Sequence, residues 1–279
     1  MIEYIDQAES TNLLYTELLQ QVINSNITNH KGMCFYKRSD GYWYLEIKIG
    51  SQKTQYSIGS DNNELQKKIK NIKKHWEEND EVAKKLRNLV AMLRAGGADV
   101  PNAPTGRVFE VLEQSGAFKA SAIIVGSHAF SAYANMLGIK WTTALTKTHD
   151  IDLAGYNRIA LALYEDSAVN ANVETDILNS DLGFTRIMQL NHKHPSTSFT
   201  IHKKEMHVDI LSPMIGKPVD RPILVHSLNT YAQPLRFLDY LFESVVPAVV
   251  IYNAGILINV PHPARFALHK LVISQRRIN

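Results

Sequence analysis

The sequence predicts an α+β protein built from two parts, an N-terminal unit over residues 1–100 and a larger unit over residues 101–279. Helical and strand patterns alternate along the chain, and one short, wholly apolar run is typical of a strand buried on both faces of a sheet. The segment 96–104 contains two glycines and two prolines, which interrupt regular structure. We therefore place the boundary between the two units near residue 100.

The composition is that of an ordinary folded domain. Hydrophobic residues make up 45% and charged residues 20% of the 279 residues, which excludes disorder as the main state. The formal net charge of +3 is too small to indicate nucleic-acid binding by itself, so any basic patch must be local. The single cysteine, Cys34, excludes an intramolecular disulfide and a multi-thiolate metal site, and it fits a reducing compartment.

The sequence shows neither a secretory signal nor a membrane span. Its first residues are acidic and lack the basic and apolar regions of a signal peptide. The most apolar stretch, residues 245–260, contains Pro247 and is shorter than the roughly 20 residues that cross a bilayer. We expect this stretch to form core, and we expect a cytoplasmic protein with no membrane partner.

The N-terminal unit predicts a helix, a small sheet and a second helix, in that order. Apolar residues at helical spacing predict the first helix within the first thirty residues. Three β-rich runs, at 34–36, 42–49 and 54–58, are separated by turn residues and predict a three-stranded antiparallel meander. Residues 63–94 return to a helical pattern that is rich in lysine.

This aromatic meander and its lysine-rich helix have two interpretations. The aromatic residues are Tyr36, Tyr42, Trp43 and Tyr44. Together with the lysines they could bind a nucleic-acid backbone. The alternative is a scaffold sheet with a solvated helix face, and the acidic residues interleaved among the lysines favour it.

The C-terminal unit predicts a sheet with several helices. The predicted strands are 121–125, 149–153, 185–190, 198–202 and 206–211, and the predicted helices are 108–113, 127–137, 157–164, 235–241 and 265–276. The glycine at position 138 is a typical end for the helix that precedes it. Strand, tight turn and helix follow one another closely between residues 121 and 137.

Three acidic residues on two of these strands predict a site for divalent cations. Asp150 and Asp152 alternate along one strand, so both side chains lie on the same face. Asp209 lies on another strand between apolar neighbours, and pairing of the strands could bring it beside the first two. Three carboxylates on one face repel one another unless a cation neutralises them. Oxygen ligands favour Mg²⁺ or Mn²⁺, and two such ions assist phosphoryl transfer.

The turn at Gly126 and Ser127 supplies the complementary part of such a site. Glycine permits a phosphate to approach the backbone closely, and the following helix presents unsatisfied N–H groups to an anion. We expect the triphosphate of a nucleotide to bind here. A Gly-Ser turn and a pair of alternating aspartates are each common by chance, so the prediction rests on their order and on the third acid.

These motifs resemble those of the DNA polymerase β type nucleotidyltransferase superfamily, and more closely those of a bacterial nucleotidyltransferase family within it. The resemblance covers residues 30–277. The segments that carry it are 126–130, 148–154, 208–213, 234–241 and 263–271. It implies a polymerase β-like core, a mixed sheet with helices, placed after the small meander.

The resemblance also implies a metal-dependent reaction. Asp150, Asp152 and Asp209 would bind two Mg²⁺ or Mn²⁺ ions, and a nucleoside monophosphate would pass from a nucleoside triphosphate to an acceptor hydroxyl. We expect Asp209 also to help deprotonate that hydroxyl, and we expect the acceptor to be an RNA or a protein. The alternative is a catalytically silent module on the same fold that only binds nucleotide or nucleic acid.

Lys270 has two interpretations. It lies on a predicted helix, and in the resembling family a helical lysine neutralises the triphosphate. The other interpretation is an ordinary solvated lysine.

Overall fold

The computed structural model describes residues 3–25, 33–49, 52–142, 148–157, 171–201 and 206–275. Seven α-helices lie in these ranges: α1 Glu9–Asn24, α2 Asn63–Ala95, α3 Ala103–Gln114, α4 Gly126–Leu137, α5 Val173–Asn179, α6 Asp239–Phe242 and α7 Pro263–Ser274. The strands are β1 Tyr4–Asp6, β2 Met33–Lys37, β3 Tyr42–Ile49, β4 Gln52–Ser60, β5 Ile123–Val125, β6 Ile139–Trp141, β7 Asp150–Ala154, β8 Thr185–Arg186, β9 Ser198–Ile201, β10 Met206–Pro213, β11 Ile223–Val225, β12 Thr230–Leu235, β13 Val245–Val250 and β14 Ile256–Pro261. The protein is therefore a mixed α+β structure.

A mixed sheet of seven strands forms the centre of the C-terminal part. Its order is β11-β12-β10-β7-β5, with β9 beside the first half of β10 and β8 beside β9. β10 runs parallel to both β7 and β12, whereas β5 runs antiparallel to β7. β10 has the period-two pattern that this position requires, because Met206, Val208 and Ile210 are buried while the residues between them are partly exposed.

Three hydrophobic clusters lie among the described residues, and the smallest of them joins β5 and β7 to α6. The largest one lies under the mixed sheet and includes residues from α3, α4 and α7. The second joins α1 and the C-terminal half of α2 to β13, through residues such as Leu18, Leu93 and Val249. The N-terminal helices therefore pack on a hairpin of the C-terminal part.

The small meander is confirmed as a separate three-stranded antiparallel sheet of order β2-β3-β4. The long lysine-rich helix is confirmed as α2, which begins after Asn62; the Asn62 side chain accepts a hydrogen bond from the Leu65 N–H. The apolar stretch 245–260 forms the β13–β14 hairpin of the core, as expected. Within the described ranges, no helix is both long and apolar enough to cross a bilayer.

The structure corrects two of the predicted elements and leaves a third untested. The predicted helix 235–241 is wrong: β12 continues to Leu235, which pairs with Pro213 of β10, and only Asp239–Phe242 is helical. Strand pairing with β10 overrides helical periodicity here, and Phe237 then takes a left-handed conformation (φ 65°). The predicted strand 185–190 shortens to Thr185–Arg186. The predicted helix 157–164 lies outside the described residues beyond Asn157.

Asn135 fastens α4 to the segment between the two parts. Its side-chain oxygen accepts a hydrogen bond from the Asp99 N–H at 2.9 Å, and its amide donates to the Asp99 carbonyl at 2.8 Å. Asn135 is 5% exposed, so water cannot easily replace either bond. The side chain thereby satisfies two backbone groups at the end of the N-terminal part.

Asn135→Ala should lower the free energy of unfolding by about 1–3 kcal/mol, because it leaves two backbone groups of Asp99 without their partner. Urea denaturation followed by circular dichroism would measure the change. The exposed Asn88→Ala is the matched control and should change stability by less than about 0.5 kcal/mol. Equal effects of the two substitutions would show that the Asn135 bonds do not stabilise the fold.

Candidate active site

Three acidic residues occupy one face of the mixed sheet at adjacent positions of β7 and β10. The two strands are parallel, and their register pairs Asp152 with Asp209 and Asp150 with His207. Paired strands lie about 4.8 Å apart, so the backbones of Asp152 and Asp209 are direct neighbours. Asp150 shares their face because alternate residues of a strand point the same way.

The opposite face of the same two strands explains why the acids take these positions. Ile151 and Leu153 on β7, and Val208 and Ile210 on β10, are all 0% exposed and belong to the main core. Apolar and acidic residues therefore alternate in step on both strands. Burial of the apolar set directs the carboxylates to the other face.

The electrostatic environment of Asp152 is unfavourable for its charged form. Burial, together with the nearby charges of Asp209 and Asp150, raises the pKa of the Asp152 carboxyl to about 6, although the Lys270 ammonium partly opposes the shift. Asp150, at the start of β7, is exposed, and Asp209 is partly buried. A positive charge at this face would therefore stabilise the ionised acids.

Gly126 leaves no room for a side chain beside Asp152. The glycine follows β5, whose last residue Val125 pairs with Asp152. It has a left-handed backbone (φ 67°), and a Cβ atom there would lie 1.9 Å from the Asp152 carboxylate oxygen Oδ2. The absence of a side chain is thus required both by the conformation and by the acid.

The helix that begins at Gly126 directs its first backbone N–H groups toward the region of these acids. Val125 at the N-cap position supplies no side-chain hydrogen bond to the first turn of α4. The first N–H groups of a helix have no intrahelical partner, and together with the helix dipole they attract anions. Ser127 lies in this first turn, and its hydroxyl forms a hydrogen bond with the hydroxyl of Thr148, just before β7.

Lys270 approaches the same acids from α7. Its charge acts on Asp152, and its Nζ atom lies 5.2 Å from the centre of the Phe266 ring, a cation–π distance. Phe266 is buried in the main core and fixes this turn of α7. The structure thus brings Lys270 within electrostatic reach of the acidic face.

A cavity of about 460 Å³ adjoins the Ser127 turn. Thr148 and His128 line it on the side of the acids, and Phe109 packs edge-on against the His128 ring. Burial lowers the pKa of His128 to about 4, so its imidazole is neutral at pH 7, and the Nε2 atom has no hydrogen-bond partner among the described residues. The cavity is of the size that small ligands occupy.

The carboxylate oxygens of the three acids are suitable ligands for a hard divalent cation, although their side chains do not form a complete coordination site. Among the described residues, no group of three His, Cys, Asp or Glu side chains is placed so as to hold a metal ion. The backbone nevertheless sets Asp152 beside Asp209 with Asp150 on the same face, and carboxylate oxygens are the ligands that Mg²⁺ and Mn²⁺ prefer. Rotation of these side chains would be needed to bring the oxygens together.

Comparison with known proteins gives one match. A family model described as Nucleotidyltransferase matches residues 103–279. The chain belongs to this nucleotidyltransferase family. No curated protein and no solved structure matches the chain. The matched segment contains Asp150, Asp152 and Asp209, the Gly126 turn and α7.

The sequence predicts most of the polar groups at this site of the nucleotidyltransferase, but it does not predict the contact between Ser127 and Thr148. The structure brings Asp150, Asp152, Asp209, Gly126, Ser127 and Lys270 to one region. The bond between Ser127 and Thr148 was not foreseen. Its only signal in the sequence is that Thr148 lies two residues before Asp150, the start of the acidic strand.

Because the pKa of Asp152 is raised, ionisation of this carboxyl should lower the free energy of unfolding in a pH-dependent way. Since the ordinary value is 3.8 and the folded value is about 6, the wild type should lose stability relative to an Asp152→Asn variant as the pH rises from 4 to 6. Asp152→Asn lacks this loss, so at pH 8 without divalent ions it should be more stable than the wild type, on the order of 2 kcal/mol. Urea denaturation at pH 4 and pH 8 measures both effects.

The exposed Asp181→Asn is the control for this comparison and should follow the wild type at both pH values. An Asp152→Asn protein that is less stable than the wild type at pH 8 would contradict the raised pKa.

Proposed function

We propose that this chain transfers a nucleoside monophosphate from a nucleoside triphosphate to an acceptor hydroxyl, on a polymerase β-like core. The observation that carries the proposal is the register that sets Asp209 beside Asp152, next to the Gly126 turn, within a segment that matches a nucleotidyltransferase family. The paired acids and the anion-binding helix start are complementary parts of one phosphoryl-transfer site.

The chain's own residues divide the work as follows. The N–H groups at the start of α4 bind the β- and γ-phosphates, and Lys270 adds a positive charge from α7. Asp150, Asp152 and Asp209 hold Mg²⁺ or Mn²⁺, which supplies Lewis-acid chemistry when bound. Asp209 also accepts the proton of the acceptor hydroxyl. The acceptor oxygen forms a bond to the α-phosphorus, the bond to the bridging oxygen breaks, and pyrophosphate leaves.

The acceptor in this proposal is an RNA or a protein. The reaction takes place in the cytoplasm, where the exposed Cys34 stays reduced. The alternative is a silent module that binds nucleotide without transferring it. One observation favours this second candidate, namely that the described side chains form no ready metal cage.

The protein is incubated with one α-labelled triphosphate at a time, with Mg²⁺ or Mn²⁺, and with either an RNA fraction or a protein fraction. We expect the label to appear on the molecules of one of these two fractions. The protein with both Asp150→Asn and Asp152→Asn should lose at least about 10³-fold in rate, because the charge that holds the cations is gone. Label transfer by this double variant at the wild-type rate would refute the assignment. Triphosphate binding without transfer to any fraction would support the silent module.

Gly126→Ala should weaken triphosphate binding while stability falls only moderately, by about 1–2 kcal/mol for a left-handed residue with a side chain. The new Cβ would push the Asp152 carboxylate out of place. Gly97→Ala is the matched control, because Gly97 also has a positive φ (80°) but an added Cβ meets nothing within 4 Å.

Calorimetry with a triphosphate and Mn²⁺, combined with urea denaturation, separates the two effects. Both variants should be destabilised to a similar degree, but only Gly126→Ala should bind at least about tenfold more weakly. Normal binding by Gly126→Ala would place the nucleotide elsewhere.

A further inference from the structure

The small N-terminal sheet has one face against α2 and one face without a covering element among the described residues. On the inner face, the Phe35 ring stacks on Trp76 of α2 at 5.0 Å, and the Trp43 indole N–H donates to Asp61 at 2.8 Å. Tyr36 and Tyr44 are cross-strand partners at the alternate positions, so they lie on the opposite face. We call this second face the outer face.

The outer face carries a stacked group of planar side chains. The Tyr36 and Tyr44 rings are stacked with centroids 5.8 Å apart. The Arg38 guanidinium lies 4.3 Å from the centre of the Tyr44 ring and 5.9 Å from that of Tyr36. Gln55 accepts a hydrogen bond from Arg38, which holds the guanidinium in place. Aromatic rings and arginine planes are the surfaces on which unpaired bases stack.

The side chains of this sheet are more exposed to solvent than those of a sheet that only supports the fold. Not one residue of β2, β3 or β4 whose side chain is described is buried, and in the adjoining first half of α2 only Ile69 is. A scaffold sheet would bury one face in a core. Here seven of the protein's 24 aromatic residues lie between residues 33 and 76, largely within reach of solvent.

The charge of the chain is concentrated in the same segment. Residues 33–76 contain nine Lys and Arg against four Asp and Glu, whereas the rest of the chain contains 21 against 23. The acidic residues that interleave with the lysines of α2 come mainly after Trp76. The positive net charge of the protein therefore originates in this segment, which favours a polyanionic partner.

Lysines of α2 form a second positive region, on the inner side of the sheet. Lys70, Lys73 and Lys74 border a cleft of about 520 Å³ between α2 and Trp43. Five lysines, at 67, 68, 70, 73 and 74, fall within the first half of the helix; Lys68 pairs with Glu64, and Lys74 pairs with Glu78. Such a row can follow a phosphate backbone.

We propose that the N-terminal unit binds a single-stranded polynucleotide, with bases stacked on the Tyr36–Arg38–Tyr44 group of the outer face and phosphates attracted by the lysines of α2. A duplex has its base faces covered and would use only the charges. The binding needs neither triphosphate nor metal, so it is independent of the transfer reaction proposed above.

Fluorescence anisotropy of the full chain with a labelled, unstructured 20-nucleotide RNA, in buffer with EDTA and no triphosphate, tests this surface. Tyr44→Ala should weaken binding about tenfold, since removing a stacking ring costs about 1–3 kcal/mol per base. Tyr44→Phe keeps the ring and should bind like the wild type. Tyr56→Ala is the matched control, because Tyr56 is 53% exposed but lies on the inner face, opposite Leu45.

Changing Lys70, Lys73 and Lys74 together to Gln should reduce the dependence of the binding constant on salt, by about 0.7 in the log–log slope for each phosphate that these lysines neutralise in the wild type.

The Asp150→Asn and Asp152→Asn double variant should bind the RNA normally. No binding by the wild type, equal binding of RNA and a DNA duplex, or equal weakening by Tyr56→Ala and Tyr44→Ala would each overturn the proposal. Far-ultraviolet circular dichroism of every variant distinguishes damage to the surface from damage to the fold.

Discussion

The register between β7 and β10 is the constraint on which the rest of the site depends. The same alternation that buries Ile151 and Val208 places Asp152 and Asp209 side by side on the other face. A slip of one residue would turn the acids into the core and the apolar residues into solvent. Each fully buried aliphatic side chain contributes about 1.5–3 kcal/mol, so the core opposes such a slip strongly.

At Asp152 the requirements of the site reduce the stability of the fold. The pKa of Asp152 is raised by burial and by its acidic neighbours, so its charged form is unfavourable in the folded chain. Gly126, which leaves space for that carboxylate, is held in a left-handed conformation. The hydrophobic contacts beneath the sheet offset both costs. A site that tolerates crowded carboxylates in this way is poised for a cationic ligand.

The sequence was informative where the chemistry and the local pattern coincide. Alternation along 150–153 predicts the strand and the shared face of its acids, and the turn at Gly126 predicts the start of α4. The pairing of β10 with both β7 and β12 joins distant segments, and local periodicity carries no information about it. For the same reason the helix expected over 235–241 is wrong, because pairing of Leu235 with Pro213 decides its conformation. The bond between Ser127 and Thr148 spans 21 positions and depends on that tertiary arrangement.

The length of α2 sets the direction in which the small sheet faces. The helix has 33 residues and is thus about 50 Å long, and between Ile69 and Ala83 it has no buried residue. Because an α-helix turns by about 100° per residue, inserting one residue between Trp76, which contacts the sheet, and Ala83 would swing the outer face through more than a quarter circle. Inserting a block of seven would nearly restore its azimuth and move the sheet about 10 Å farther away. Residue count in this stretch, more than residue identity, thus governs the orientation of the sheet relative to the acids.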